Sequence, residues 1–410
     1  MGGKAILFLV VGFSLIFMVA GKNFNNMGLA TTENVSKYYV QSKAHYIANS
    51  GVNLVVNKLF IDATIPDQTF NWNFDGGTIS AVLTTTDAVK NTKLLLSTGT
   101  FTAGSLTVSN TIRITFQPSL FSKFAYFSSS EGGTIYWTTK DTVWGPLHTN
   151  DNLNVQNSPV FFGKVTIGGN VYKNPSYSTP QFLGGFQKGI QITIPPNGVS
   201  SVATVAAAGG ASISGHSLVY FEFRGDSIRY KYSSGGSWTY RLASTFAPNG
   251  AINFVNAEVH LTGTVKGRYT ISTSGTSGNQ GSVFLDNDIV YNTNPRTNPS
   301  STDMLGIVAQ QDVWVTNNTA NNTNGIKIDA SIYCQEGSFG AEDYNTRPIA
   351  GFIDLYGGIT QKTRGAVGTL SGGVINHGFS KRYRYDDRLL TTYPPAYPGC
   401  GSYEIVSWFE

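Results

Sequence analysis

The chain has 410 residues, a formal net charge of +4 and only 13% charged side chains, about half the share of an average soluble protein. Hydrophobic residues at 40% and aromatic residues at 13% can build a core, which excludes a disordered chain, and the small, dispersed positive charge leaves no footprint for nucleic acid. Forty-six glycines beside abundant Ser, Thr, Asn and Tyr describe an exported β-protein, held in solution by hydroxyls and amides.

Residues 5–20 read AILFLVVGFSLIFMVA, uncharged and flanked by Lys4 and Lys22. As a helix the run is about 24 Å long. With the flanking glycines and snorkelling lysines it reaches the ~30 Å of a bilayer core. A cleaved secretory signal has a shorter apolar region and a small-x-small cleavage site, whereas Met18 stands where a small residue is wanted. A retained anchor is the expectation, and with no cysteine after the run a lipoprotein anchor is excluded. From Lys22 to Phe60 there is no proline, and Met27, Ala30, Tyr38, Ala44, Ile47, Ala48, Val52, Val55 and Leu59 recur at helical steps. The spacing predicts one helix from about residue 5 to 61, stopped by Pro66.

Beyond Pro66 the period changes to two. GTISAVLTT (77–85), GSLTVSNTIRITFQP (104–118) and SVATVAAAG (201–209) read as strands between Gly, Asn and Ser, and 77–118 is expected to form an antiparallel sheet against the long helix. From about Tyr126, short strands return at spacings of roughly 21–25 residues, the rhythm of a β-solenoid. A β-sandwich is the competing reading. The stretch 170–250 breaks the rhythm and reads as an inserted hairpin lobe.

Two parts of the sequence resemble known proteins. GKAILFLVVGFSLIFMVAG, followed by KAHYIANSGVN (43–53), resembles the N-terminus of PilX-like minor pilins and related type IV pilus proteins. It departs from them at Phe17, which replaces the glutamate after the Gly12-Phe13-Ser14-Leu15-Ile16 junction. Cleavage after Gly3 is the alternative, and it puts Phe8 in the glutamate position. GPLHTNDNL, SSTDMLGIVA, GGITQKTRGAVG and the phrase from Lys381 to Glu410 look like the body of an uncharacterised family of pilin-like bacterial envelope proteins.

The resemblance implies an α+β protein: a membrane-inserted N-terminal helix (1–62), a pilin-head-like β region (63–125), and a solenoid-like domain (126–410) with the inserted lobe at about 170–250. It implies a structural or adhesive subunit of a pilus-like or secretion filament, anchored in the inner membrane with an exported head. The implied partners are the membrane through residues 5–20, other pilin-like subunits or assembly-platform proteins, and surface glycans. The alternative is an anchored solenoid that binds or cleaves polysaccharide.

Catalytic motifs are missing from the sequence: no G-x-S-x-G elbow, H-E-x-x-H or phosphate-binding loop occurs. No enzyme activity, cofactor or metal is expected. His148-Thr149-Asn150-Asp151 reads as a turn between strands rather than a catalytic cluster. Asp286, Asn287, Asp288 and Asp303 could offer oxygens to Ca²⁺ but read first as caps on backbone N–H groups. Arg382, Arg384, Asp386, Asp387 and Arg388 read as an ion-pair latch holding the C-terminal tail, with a docking surface as the other reading. Cys334 and Cys400 are open between one bridge and two thiols. Tyr230, Tyr232, Trp238 and Tyr240 are open between sugar stacking and cross-strand pairing.

Overall fold

In the computed structural model, which describes residues 2–410 apart from 88–90, 134, 140, 372 and 373, the helical pattern becomes one helix, α1 (Gly2–Ile61). Sixty residues at 1.5 Å rise make it about 90 Å long. Its end follows from Asp62, whose carboxylate accepts from the Thr64 N–H at 2.8 Å, and from Pro66, which cannot continue the hydrogen-bond ladder. The chain divides into two compact units, residues 1–118 with 401–410, and residues 119–400.

In the first unit, strands β1 (Gln68–Phe74), β2 (Gly77–Asp87), β3 (Thr92–Ala103) and β4 (Leu106–Leu120) form an antiparallel sheet in sequence order. The strand Gly399–Phe409 adds to its edge beside β4. The first turn is a two-residue loop, Asp75-Gly76, with both φ angles positive (50° and 79°), as the twist of a tight hairpin requires. Period-two alternation puts Ile79, Ala81, Leu83, Leu95, Ile112, Ile114 and Phe116 on one face, where they meet Ile47, Ala48, Val52, Val55 and Leu59 of α1. Each fully buried aliphatic side chain contributes roughly 1.5–3 kcal/mol.

The contact is close because it is built on small residues. A Cβ on Gly99 would lie 2.3 Å from Ala48 N and 2.4 Å from Ala44 O, while Ser97 Oγ donates to Ala48 O at 2.7 Å. The opposite face of the sheet carries hydroxyl pairs: Thr98 with Thr111, Thr100 with Ser109 and Thr102 with Thr107, all within 2.8–2.9 Å.

In the second unit most strand pairs are parallel and in register. One ladder stacks Ile252, Ile271, Ile307, Ile332 and Ile359, then Tyr126, Leu147 and Val165. Another stacks Ile289, Ile328, Leu355 and Tyr383, then Val143, Phe161 and Phe182. A third stacks Val219, Val259, Val283, Val313 and Phe339. Identical aliphatic residues on one rung face their counterparts on the next, so the apolar interior is continuous. The segment 201–209, expected as a strand, is helical instead: its small residues alternate no apolar face at period two, and α2 (Gly198–Ala207) lays Val199, Val202 and Ala206 against the outward side chains Phe127, Val308 and Tyr333.

The first two ladders share a seam. Segment 126–188 stacks on the last strands of segment 211–384 through Ile359↔Tyr126 and Tyr383↔Val143. A charge pair is buried there. Arg364 Nη1 donates to Glu131 Oε2 at 2.7 Å, with side chains 4% and 0% exposed. Tyr126 and Ser128 hydroxyls donate to the other Glu131 oxygen at 2.7 and 2.6 Å, so both carboxylate oxygens are engaged.

The interruption expected over 170–250 is narrower. Residues 165–188 continue the parallel pairing, and the strands at 211–213 and 218–225 each find a parallel partner. The antiparallel part is a meander in which Leu218–Gly225 pairs with Ser227–Lys231 and that strand with Thr239–Leu242. The Gly- and aromatic-rich composition hid the register, because short strands of two or three residues carry no readable period. The C-terminal boundary also differs, since residues 401–410 belong to the first unit.

Two outcomes follow. Gly99→Val, which needs space the α1 backbone occupies, lowers the stability of the first unit by about 1–3 kcal/mol or more in denaturant unfolding, whereas Gly12→Ala, with nothing within 4 Å, leaves it unchanged. Arg364→Met, which strands Glu131 as a buried charge, costs about 3–5 kcal/mol, and the Glu131→Gln/Arg364→Met double variant recovers most of that loss.

Candidate functional site

The largest uncompensated feature is the first third of α1. Its large apolar side chains from Ile6 to Val19 range from 49% exposed at Val11 to 75% at Phe8, with a mean hydropathy of 2.3 over an 18-residue window. The helix is long and apolar enough to cross a membrane. The packed stripe begins only at Val40 and continues through Ala44, Ile47 and Ala48. The same helix therefore has a buried end, matched to a sheet, and an apolar end matched to nothing among the described residues.

A second feature lies on the outward side of the third ladder. Tyr220, His260, Phe284 and Trp314 are direct neighbours on successive rungs. The imidazole stacks between Tyr220 at 4.5 Å and Phe284 at 5.2 Å. In the ring plane His260 Nδ1 lies 2.9 Å from the Asp286 carboxylate and Nε2 lies 2.9 Å from Glu258. Carboxylates only accept, so both bonds form fully when the ring is an imidazolium. Burial of the ring opposes protonation, but Asp286 and then Glu258 outweigh it and hold the pKa above its ordinary 6.5. Asp286 is itself held by the Thr316 hydroxyl at 2.7 Å. Because the rings face one another, their edges point outward, a poor platform for a sugar.

The structure gives each residue nominated from sequence defined partners. His148 is fully buried, stacked on Phe127 at 5.1 Å, and bonded to Thr166 and Asn150 at 2.7 and 2.8 Å. Burial lowers its pKa, against the Asn150 hydrogen bond, so it is the neutral tautomer that fits there. Asp151 accepts from the Glu131 N–H at 3.0 Å. Asp288 accepts from the Lys327 N–H at 2.8 Å, and Asp303 accepts from Gly267 and Thr293 at 2.7 and 2.8 Å. Asp286, Asp288 and Asp303 thus serve different partners, and among the described residues no group of three His, Cys, Asp or Glu side chains is placed to hold a metal.

Asp386 is buried and pairs with Arg388 at 2.6 Å, while Arg388 also donates to Ser301 O at 2.8 Å. Arg382 lies over the Phe352 ring at 3.5 Å. No disulfide joins Cys334 and Cys400. Trp238 is covered by Arg229 at 4.2 Å and Lys231 at 4.9 Å, Tyr230 packs on Tyr232 at 5.6 Å, and Tyr240 accepts from Arg229 at 3.3 Å.

A shallow hollow of about 580 Å³ is lined by Asp226, Lys266, Tyr269, Asn298 and Asp303 among others. Its two carboxylates are engaged: Asp226 pairs with Lys266 at 2.8 Å, and Asp303 holds the two backbone donors already named.

Sequence reasoning missed Glu258, His260, Glu131, Arg364, Asp141 and Lys381. Glu258 and His260 share a strand face, as their i, i+2 spacing permits, but the rung partners Tyr220 and Phe284 lie 40 and 24 positions away and signal nothing locally.

Taken together, the chain is an α+β protein with a long N-terminal apolar helix and a mostly β body of antiparallel and parallel sheets. A family model described as a domain of unknown function (DUF4900) matches residues 93–169. No curated protein matches the chain. Among solved structures, the competence-associated pilin ComZ from Thermus thermophilus is similar at 12% identity and a TM-score of 0.37, over 90% of this chain and 97% of ComZ. That likeness is too distant to transfer any property.

The His260 cluster makes stability depend on pH. Its folded pKa is raised, so its contribution is fully present below 6.5 and is lost as pH rises through the folded value. Urea unfolding between pH 5 and pH 9 is expected to show this decline in the native chain, and His260→Gln is expected to flatten it.

Proposed function

We propose that this chain is a membrane-anchored envelope protein of pilin-like plan, a structural or adhesive subunit of a type IV pilus-like or secretion filament rather than an enzyme. The observation that carries this reading is the division of α1: an exposed apolar third followed by a stripe buried on an antiparallel sheet. A helix of this kind resides in the bilayer through residues 5–20 and offers the same surface for lateral packing between copies. The segment KAHYIANSGVN, read at first as a resemblance to PilX-like minor pilins, supports it with a physical role. Ala44, Ile47, Ala48 and Gly51 are the positions where α1 meets Ser97, Ile79 and Gly99.

In this proposal the three parallel ladders close into a solenoid-like coil, the exported part of the molecule. Its role is to present a stiff surface. The cell exterior suits a body that is poor in charge and stabilised by hydroxyl pairs and stacked aliphatic rungs.

The test is fractionation of the producing cell with N-terminal mass spectrometry of the native chain. Recovery in the membrane pool and in sheared filaments, with the apolar segment retained, is expected. A chain that begins near Lys22 and stays freely soluble would overturn the proposal. Deleting residues 1–22 is expected to release the remaining protein from the membrane without lowering the unfolding midpoint of either unit.

A further inference from the structure

The seam of the second unit holds another charge pair that the envelope role does not use. Lys381 Nζ lies 3.2 Å from Asp141 Oδ2, between residues 240 positions apart. The pair is set against Trp137, itself 1% exposed, with Lys381 Nζ 5.2 Å and the Arg364 guanidinium 4.2 Å from the ring centre. The carboxyl group is fixed in place, because the Thr138 N–H donates to the same Oδ2 at 3.0 Å. An amine and a carboxyl group, 19% and 11% exposed, are thus held together against an aromatic wall, one from each of the two segments that meet at the seam.

We propose that Asp141 and Lys381 join in an intramolecular isopeptide bond, a self-made covalent staple across the seam. The chemistry balances without any co-reactant. A proton passes from the Lys381 ammonium to the Asp141 carboxylate, which leaves a neutral amine beside a neutral acid. The Nζ lone pair attacks Cγ, the C–O bond breaks, and that oxygen leaves as water with two of the three ammonium hydrogens. The third hydrogen stays on the new amide nitrogen. One ammonium and one carboxylate become one amide and one water, with no change in net charge.

The surroundings favour each step. Burial lowers the pKa of Lys381, the Asp141 carboxylate opposes that shift, and the Arg364 cation reinforces it, so the balance at Lys381 moves towards the neutral amine. Holding the groups in contact supplies an effective concentration on the order of 10⁵–10⁸ M for attack of Nζ on Cγ. The staple closes a long loop, where a covalent link constrains the unfolded chain most, and no disulfide does so in this molecule.

The experiment is tryptic digestion of the denatured full-length protein with mass spectrometry of the peptides and of the intact chain. The expected result is a branched peptide joining the Asp141 and Lys381 segments, one water lighter than the sum of its parts, with no cleavage after Lys381. Lys381→Arg is expected to give only linear peptides. A wild-type digest dominated by linear Asp141 peptides and by cleavage after Lys381 overturns the proposal, and because the wild-type chain decides, the folding of the variant does not bear on the outcome.

Discussion

The pairing of Tyr126 with Ile359 is the contact on which the second unit depends. Until it forms, segments 126–188 and 211–384 are separate stacks, each with an open end of unpaired strand groups. Closing so long a loop costs only slightly more entropy than closing a short one, so distance is no barrier to stability, though it slows the search. Specificity is the harder problem, since one aliphatic rung resembles another. The seam solves it with charge. Glu131 and Asp141 come from one segment, Arg364 and Lys381 from the other. A slipped register would leave these groups buried without partners, a larger penalty than any misfit between Ile and Val.

That use of charge explains the composition. A chain with 13% charged residues still places several of them in its interior, where each has a defined partner: Arg364 with Glu131, Asp386 with Arg388. The surface role usually taken by Lys and Glu passes to hydroxyls, as in the Thr98–Thr111 and Thr100–Ser109 pairs of the first sheet. The His260 column is a third use. There, stacked rings provide the packing, and two carboxylates fix the charge state of the imidazole between them.

What was legible in the sequence was what local physics dictates. The period of α1, its stop before Pro66 and the antiparallel strands around 77–118 were all readable, because each rests on neighbours a few residues apart. The seam was not readable: Asp141 and Lys381 are 240 residues apart, and nothing near either one marks it as paired. The last strand was misread as well. The segment carrying prolines 394, 395 and 398 stays with the second unit, where Tyr397 is buried beside Tyr333. The residues that follow, Gly399–Phe409, instead complete the sheet of the first unit beside β4. Their alternating SYEIVSWF pattern suits an edge strand, but no sequence period names the sheet that a strand will join.

The helix shows how one element can obey two solvents. From Val40 onward it buries a stripe set by Ala44, Ala48 and Gly51, small residues that let a strand carrying Gly99 approach its backbone. Larger side chains there would hold the sheet away and expose the Ile79–Leu83 face. Before Val40 the constraint vanishes, and Phe24, Met27, Leu29 and Tyr38 stand exposed along a stretch where Lys, Asn and Thr are interspersed. The run at 5–20 has no polar relief beyond one serine. Left in water, it would carry a penalty of about 25 cal/mol for each Å² of apolar surface, far more than one helix can offset alone. In the proposed reading the bilayer removes that penalty, and neighbouring helices could replace the bilayer because both offer the same apolar contact. The length of the helix then separates the two environments, and the head folds without reference to the one that its first residues occupy.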